Sequence, residues 1–112
     1  MHITFRTRKL QKICSKKAES QKHLGAKCSR KLQQRMMELK AAQTLADISR
    51  LPPARCHELT GNRAGQLSID LEHPYRLLFI VANNPYPERE CGGLEWEGVT
   101  EIEIMDIADT HE

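Results

Sequence analysis

The chain has 112 residues, of which 39% are hydrophobic, 4% aromatic and 29% charged. This length suits a single domain over residues 1–112 with a modest aliphatic core. No apolar run approaches the roughly 20 residues that a membrane-spanning helix needs, and the first six residues contain no apolar signal segment. We therefore expect a cytoplasmic protein with no membrane association.

Charge is distributed unevenly along the chain, although the net charge is only +2. Residues 1–50 contain 13 Lys and Arg against 3 Asp and Glu, whereas residues 51–112 contain 4 against 12. This asymmetry predicts that the first half binds a polyanion or an acidic protein. A solvated, lysine-rich helix surface is the alternative explanation.

The four cysteines are spread along the chain with no CxxC pair. Their spacing fits neither a zinc module nor a dense disulfide framework. We expect reduced thiols that pack as small hydrophobic side chains, and no metal site.

The first half of the sequence predicts a short strand at residues 3–5 followed by two helices. Thr7 can cap a first helix over residues 7–17. A second helix is predicted over residues 21–42, where apolar residues recur at spacings of three and four: Leu24, Cys28, Leu32, Met36 and Leu39. Its remaining faces carry a basic surface of Lys27, Arg30, Lys31, Arg35 and Lys40. Thr44 and Asp47 then form a capping-box pattern that opens a short helical turn.

The second half predicts strands. Residues 55–82 divide into three strands joined by two short turns, an antiparallel meander. In the middle strand Leu67, Ile69 and Leu71 alternate with polar residues, which indicates one buried and one wet face. The third strand is continuously apolar over residues 77–81 and is therefore covered on both faces. Arg76, near the end of this strand, is either exposed at the rim of the sheet or held for an anion.

A long loop and a final strand complete the sequence. Residues 83–98 have turn-forming residues and no periodicity, and Leu94 and Trp96 are expected to anchor this loop to the body. Residues 99–108 alternate again, with a change of phase that suggests a bulge. The expected fold class is α+β, with the two N-terminal helices packed on one face of a four- to five-stranded antiparallel sheet.

Several motifs in this order resemble the HigB killer-protein branch of the RelE/ParE toxin superfamily, and the resemblance covers nearly the whole chain. They are Leu51-Pro52, residues 55–59 (RCHEL), 61–63 (GNR), 65–68 (GQLS) and 75–79 (YRLLF), and residues 104–111, which stand where the family has a strand ending in Asp-Tyr-His. The resemblance implies a RelE/ParE-like fold. It also implies the toxin of a two-gene toxin-antitoxin system, with a cognate antitoxin protein as partner.

For HigB members the resemblance further implies ribosome-dependent cleavage of messenger RNA, without a metal ion or other cofactor. In this chemistry the 2′-OH attacks the adjacent phosphate and leaves a cyclic phosphate. Histidine can act as acid and base near neutral pH, and arginine can neutralise the transition state. The candidate catalytic residues are His57, Arg76, Asp109 and His111. The candidate RNA-binding residues are Arg63, Arg55, Lys27, Arg30 and Lys31.

The candidate site residues lie up to 54 positions apart in sequence, between His57 and His111. An antiparallel order of strands can bring several strand ends to the same edge of a sheet. We expect His57, Arg63, Arg76, Asp109 and His111 to converge at one rim. Asp109 then either orients a histidine or accepts the proton itself.

The chain departs from the family pattern at two positions. Thr110 stands where the family has Tyr, and Thr60 stands where HigB relatives often carry Lys. Both changes remove groups that would contact RNA. Two alternatives to a nuclease therefore stay open: a ParE-like inhibitor of a topoisomerase, and a degenerate member that only binds its antitoxin or suppresses a toxin.

Overall fold

The structure is a computed structural model that describes residues 1–109. Strand β1 is His2–Phe5, helix α1 is Arg8–Ser15 and helix α2 is Lys17–Ala41. The remaining strands are β2 (His57–Glu58), β3 (Gln66–Asp70), β4 (Tyr75–Val81) and β5 (Glu101–Asp109). Short 3-10 turns occupy Leu45–Asp47, Gly61–Arg63 and Trp96–Gly98. The predicted α+β class is confirmed.

The two helices begin and end close to the predicted positions. Thr7 caps α1, because its hydroxyl accepts a hydrogen bond of 3.1 Å from the Leu10 backbone N–H. Helix α2 starts earlier than predicted and bends at Gly25, whose φ of 79° interrupts the helical backbone. The capping box of Thr44 and Asp47 is present.

The five strands form one sheet in the order β1-β5-β4-β3-β2. Strands β2, β3, β4 and β5 pair antiparallel, as predicted. The expectation of an entirely antiparallel sheet is wrong at one edge, because β1 runs parallel to β5. The two helices carry the chain over the sheet before β5 forms, so the local sequence around β1 does not fix its direction.

The pairing of β4 with β5 shifts register between Leu78 and Phe79, which face Asp106 and Ile104 respectively. Met105 is therefore the extra residue of a β-bulge, as the change of phase predicted. Beyond this bulge, β5 continues to Asp109 at the far end of the sheet.

One hydrophobic core lies between the helices and the inner face of the sheet. Its members include Leu32, Met36 and Leu39 from α2, and Ile69 and Phe79 from the sheet. Trp96 is 6% exposed and belongs to the same core, so it anchors the loop as predicted. Within residues 1–109 no helix combines the length and the apolar character needed to cross a membrane.

The other side of the sheet, here called the outer face, is defined by the alternation of side chains along each strand. In the pairing register His57 lies opposite Ser68, which lies opposite Leu78. Two residues along, Asp70 lies opposite Arg76. These five residues therefore share the outer face.

The centre of this face is covered. Ser68 and Leu78 are both 0% exposed. The predicted two-sided burial of β4 is confirmed, whereas the wet face predicted for β3 is wrong at Ser68. Because Ser68 sits between His57 and Leu78 in the middle of the sheet, its neighbours exclude solvent even though the residue is polar.

Candidate functional site

Asp70 is the centre of a cluster of charged side chains at the end of β3. Its carboxylate accepts two hydrogen bonds from Arg55, of 2.8 Å from Nε and 3.2 Å from Nη2. It also pairs with Arg76, whose Nε lies 3.4 Å from Oδ1. We call Arg55, Asp70 and Arg76 the arginine cluster. One carboxylate thus holds two guanidinium groups.

Arg55 has an unusual backbone conformation for its residue type. Its φ of 48° lies in the left-handed region that non-glycine residues seldom adopt. The paired hydrogen bonds to Asp70 fix its side chain, and the hydrogen bond to Asp70 raises the pKa of the guanidinium. The strain is therefore held in place by contacts made within the cluster.

The same residue orients His57. The Nδ1 atom of His57 lies 2.9 Å from the carbonyl oxygen of Arg55. A carbonyl only accepts hydrogen bonds, so Nδ1 donates, and in the neutral imidazole Nε2 is then the acceptor. This arrangement gives His57 a defined tautomer with a basic nitrogen on the side away from Arg55.

Arg76 lies near the end of β4 and is paired with the carboxylate of Asp70, so the expectation of an exposed position at the rim is wrong. Its side chain is 12% exposed, so the guanidinium is mostly buried. In the pairing register Arg76 faces Asp70 on one side and Ala108 on the other. The next pair along is Tyr75 with Asp109, which places the end of β5 directly beside the arginine cluster.

The structure brings three of the predicted site residues to one end of the sheet, namely Arg55, Arg76 and Asp109. His57 lies opposite Ser68, two residues in from Asp70 on the same face. The structure does not bring Arg63 to that end. Arg63 lies in the turn between β2 and β3, next to the Gln66 end of β3, whereas Asp70 is at the other end. The turn that follows β2 keeps Arg63 at the end of the sheet away from Asp70, so the predicted convergence is wrong for Arg63. His111, also predicted for this rim, lies outside the described residues.

The predicted basic residues of α2 approach the same end of the sheet. Lys31 Nζ lies 2.8 Å from Oε2 of Glu72, in the turn between β3 and β4. The hydrogen bond from Lys31 is the main cause that lowers the pKa of the Glu72 carboxyl, and the charges of Lys27 and Arg30 lower it further. These four residues and Gln34 line an open surface indentation.

Arg35 does not belong to this basic surface, contrary to the prediction. It is 3% exposed, and its Nε donates a 3.1 Å hydrogen bond to the backbone carbonyl of Asp70. Its Nη1 is paired with Glu38 at 3.1 Å. Arg35 therefore joins α2 to the end of β3, and this inward contact explains why a charged residue is buried.

A small pocket of about 100 Å³ opens at the turn between β3 and β4. Its walls include the arginine cluster together with His73 and Tyr75. A larger cavity of about 410 Å³ lies at the end of α2 around Glu38 and Ala42, away from the histidine and the cluster. We regard the small pocket together with His57, whose ring contacts the Arg55 carbonyl, as the candidate site, because these residues combine a histidine with two arginines.

Sequence reasoning missed Asp70, Glu72 and His73. The signal for Asp70 was available, since it stands two residues after Ser68 on the same face of a predicted strand. The ion pair of Glu72 depends on a helix packing over a turn, which sequence periodicity does not show. In the part of the chain that the structure describes, no group of three or more His, Cys, Asp or Glu side chains is placed to hold a metal ion.

Comparison with known proteins gives a structural match. No family model and no curated protein sequence matches the chain. Among solved structures, it is similar to a YoeB/ParE toxin from Agrobacterium tumefaciens, with a TM-score of 0.58 and 12% sequence identity over 99% of this chain and 100% of that one. The chain therefore has a RelE/ParE-like fold: two helices on a five-stranded, mostly antiparallel sheet.

Proposed function

We propose that this protein is the toxin of a type II toxin-antitoxin system, of the HigB type, and that it cuts messenger RNA on the ribosome. The fold similarity to a YoeB/ParE toxin supports the toxin class. The observation that carries the nuclease proposal is the placement of His57 and Arg76 on one face of the sheet, joined through Arg55 and Asp70.

The proposed reaction needs a base, an acid and a cation. A base removes the proton of the ribose 2′-OH, and the oxygen attacks the adjacent phosphorus. The bond from phosphorus to the 5′-oxygen breaks, and an acid gives that oxygen a proton. The products are a 2′,3′-cyclic phosphate and a 5′-hydroxyl.

His57 takes one of the two proton-transfer roles through Nε2, which its contact with Arg55 leaves as the acceptor. His111 or Asp109 takes the other role. Arg76 stabilises the extra negative charge on the phosphorus oxygens, and Arg55 assists it from across Asp70. Partial burial of Arg76 favours this role, because a charge interacts more strongly where water is excluded.

The partners proposed on this basis are a cognate antitoxin protein, the ribosome and mRNA. The cytoplasm is the proposed location, where ribosomes and mRNA are found. Lys27, Arg30, Lys31 and Arg63 are proposed to contact RNA phosphates outside the reacting centre.

The test is in vitro translation of a defined message with primer extension on the products. We expect cuts that appear only when ribosomes are present, with a cyclic phosphate on the upstream fragment. His57→Ala should slow cleavage by about 10² to 10⁴ if this residue moves a proton in the rate-limiting step. An intact message at high protein concentration would contradict the proposal.

Two other functions remain as alternatives, and assays on the same purified protein distinguish them. A ParE-like inhibitor would block DNA supercoiling by a topoisomerase and leave the message intact. A degenerate member, which Thr110 in place of the family Tyr favours, would bind an antitoxin and do neither.

A further inference from the structure

Two carboxylates close to each other in the chain pair with cationic side chains from different parts of the fold. Asp70 pairs with Arg76 of β4 and with Arg55, which lies just before β2, and Glu72 pairs with Lys31 of α2. Only one residue separates Asp70 from Glu72, so their Cα atoms are at most about 7 Å apart. The two cationic groups therefore lie at the same end of the sheet, although the sequence separates them widely.

Arg35 fixes this arrangement. Its guanidinium is buried and bonded to the Asp70 carbonyl, so α2 is held against the end of β3. Lys31 lies four residues before Arg35, one helical turn away on the same side of α2. The position of Lys31 beside Glu72 is thus set by the fold and not only by the flexibility of a surface lysine.

We propose that the cations now paired with Asp70 and Glu72 form two adjacent phosphate subsites for single-stranded RNA. The RNA would run from Lys27, Arg30 and Lys31 past the turn between β3 and β4 to the arginine cluster and His57. This inference rests on the proposed nuclease function and extends it by assigning a path to the RNA.

The ion pairs are suited to exchange with phosphate. The side chains of Lys31 and Glu72 are 45% and 37% exposed, and that of Arg55 is 39% exposed. Exposed ion pairs contribute little to stability, so an RNA phosphate, which carries the same single negative charge as a carboxylate, can replace Glu72 at Lys31 without unfolding the site. The pair of Arg76 with Asp70 is less exposed, at 12% and 28%. Each carboxylate would then compete with RNA for the cation that it holds.

The experiment measures binding of an uncleavable RNA. A fluorescent, 2′-O-methylated eight-nucleotide strand has no free 2′-OH, so its anisotropy reports affinity alone. Glu72→Gln removes the competing charge beside Lys31. We expect it to tighten binding several-fold at 50 mM salt.

The matched control is Glu97→Gln, which makes the same change in net charge in the turn Trp96–Gly98 just before β5, at the opposite end of the sheet from Asp109. Equal tightening by Glu97→Gln and Glu72→Gln would mean that only net charge matters, and it would overturn the proposal. Circular dichroism checks that both variants are folded.

Lys31 provides a second arm. Lys31→Ala should reduce the slope of log affinity against log salt by about 0.7, the value for one phosphate contact on a single strand. In the Lys31→Ala background, Glu72→Gln should lose most of its effect, because the cation that Glu72 blocks is gone. An unchanged slope, or a full effect of Glu72→Gln without Lys31, would also overturn the proposal.

These outcomes are separable from failure of the proposed function, since the assay contains no ribosome and no cleavable bond. The expected binding pattern without mRNA cleavage would support the RNA path in a degenerate binder. Ribosome-dependent cleavage without the binding pattern would leave the nuclease and remove the path.

Discussion

At the scale of single residues, the site depends on a few side chains with more than one task. Asp70 holds two arginines with its carboxylate and Arg35 with its carbonyl. Arg55 binds Asp70 with its side chain and His57 with its carbonyl. His57 and Arg76 could be identified as candidates from the sequence, because histidine and arginine are residue types that this chemistry uses. Their orientation by Arg55 was not predictable, because it depends on a left-handed backbone conformation at a non-glycine residue.

The cysteines give a prediction for alkaline pH. Cys14 and Cys56 are buried, and burial raises the pKa of each thiol from its usual 9.0 to about 12. Each thiol therefore makes its full contribution to the free energy of unfolding below pH 9, and this contribution is lost as the pH rises from 9 towards 12. At pH 10 the free energy of unfolding should have fallen by about 1 kcal/mol per thiol.

The measurement is urea unfolding under reducing conditions at pH 7.5 and pH 10. The double variant Cys14→Ala, Cys56→Ala should show a smaller difference between the two pH values than the wild type. Cys91→Ala serves as the control, since Cys91 is exposed. A pH difference that is the same in all three proteins would count against the argument.

At the scale of elements, hydrophobic periodicity predicted the helices and strands well. The apolar residues of α2 at spacings of three and four became its buried side, and the alternation after Gly65 became β3. The exceptions are charged or polar residues that tertiary packing buried. Arg35 looked like a surface residue in the helical pattern, and the approach of β3 buries it and adds the Asp70 carbonyl to the Glu38 partner on its own helix.

Arg35 also gives the prediction for this scale. Arg35→Ala would remove the hydrogen bond to the Asp70 carbonyl and the pair with Glu38, and it would leave space in a buried region. We expect the free energy of unfolding to decrease by about 2 to 4 kcal/mol. Arg30→Ala, on an exposed face of the same helix, should change it by less than about 0.5 kcal/mol. Urea unfolding of both variants is the measurement, and equal effects would contradict the assigned role of Arg35.

At the scale of the whole molecule, the order of the meander was predictable and the position of β1 was not. Short connections after Glu58 and Asp70 force neighbouring strands to pair antiparallel. The partner and direction of β1 depend on a strand about 100 residues later, and no local pattern specifies that contact. The same limit applies to the site. Arg76 and Asp109 lie at the same end of the sheet because β4 pairs with β5, whereas Arg63 is carried to the opposite end of β3.

This difference in position makes Arg63 the control for the central claim, that the rim around Arg76 is the catalytic site of a ribosome-dependent nuclease. The measurement is the single-turnover rate of cleavage of a message on the ribosome for the wild type, Arg76→Ala and Arg63→Ala. We expect Arg76→Ala to slow cleavage by about 10² to 10³, because it removes a cation from the transition state. With enzyme at saturating concentration, Arg63→Ala should leave the rate of the chemical step nearly unchanged, because its proposed phosphate contact affects binding and lies outside the reacting centre. Equal losses in the two variants, or an unchanged rate for Arg76→Ala, would contradict the claim.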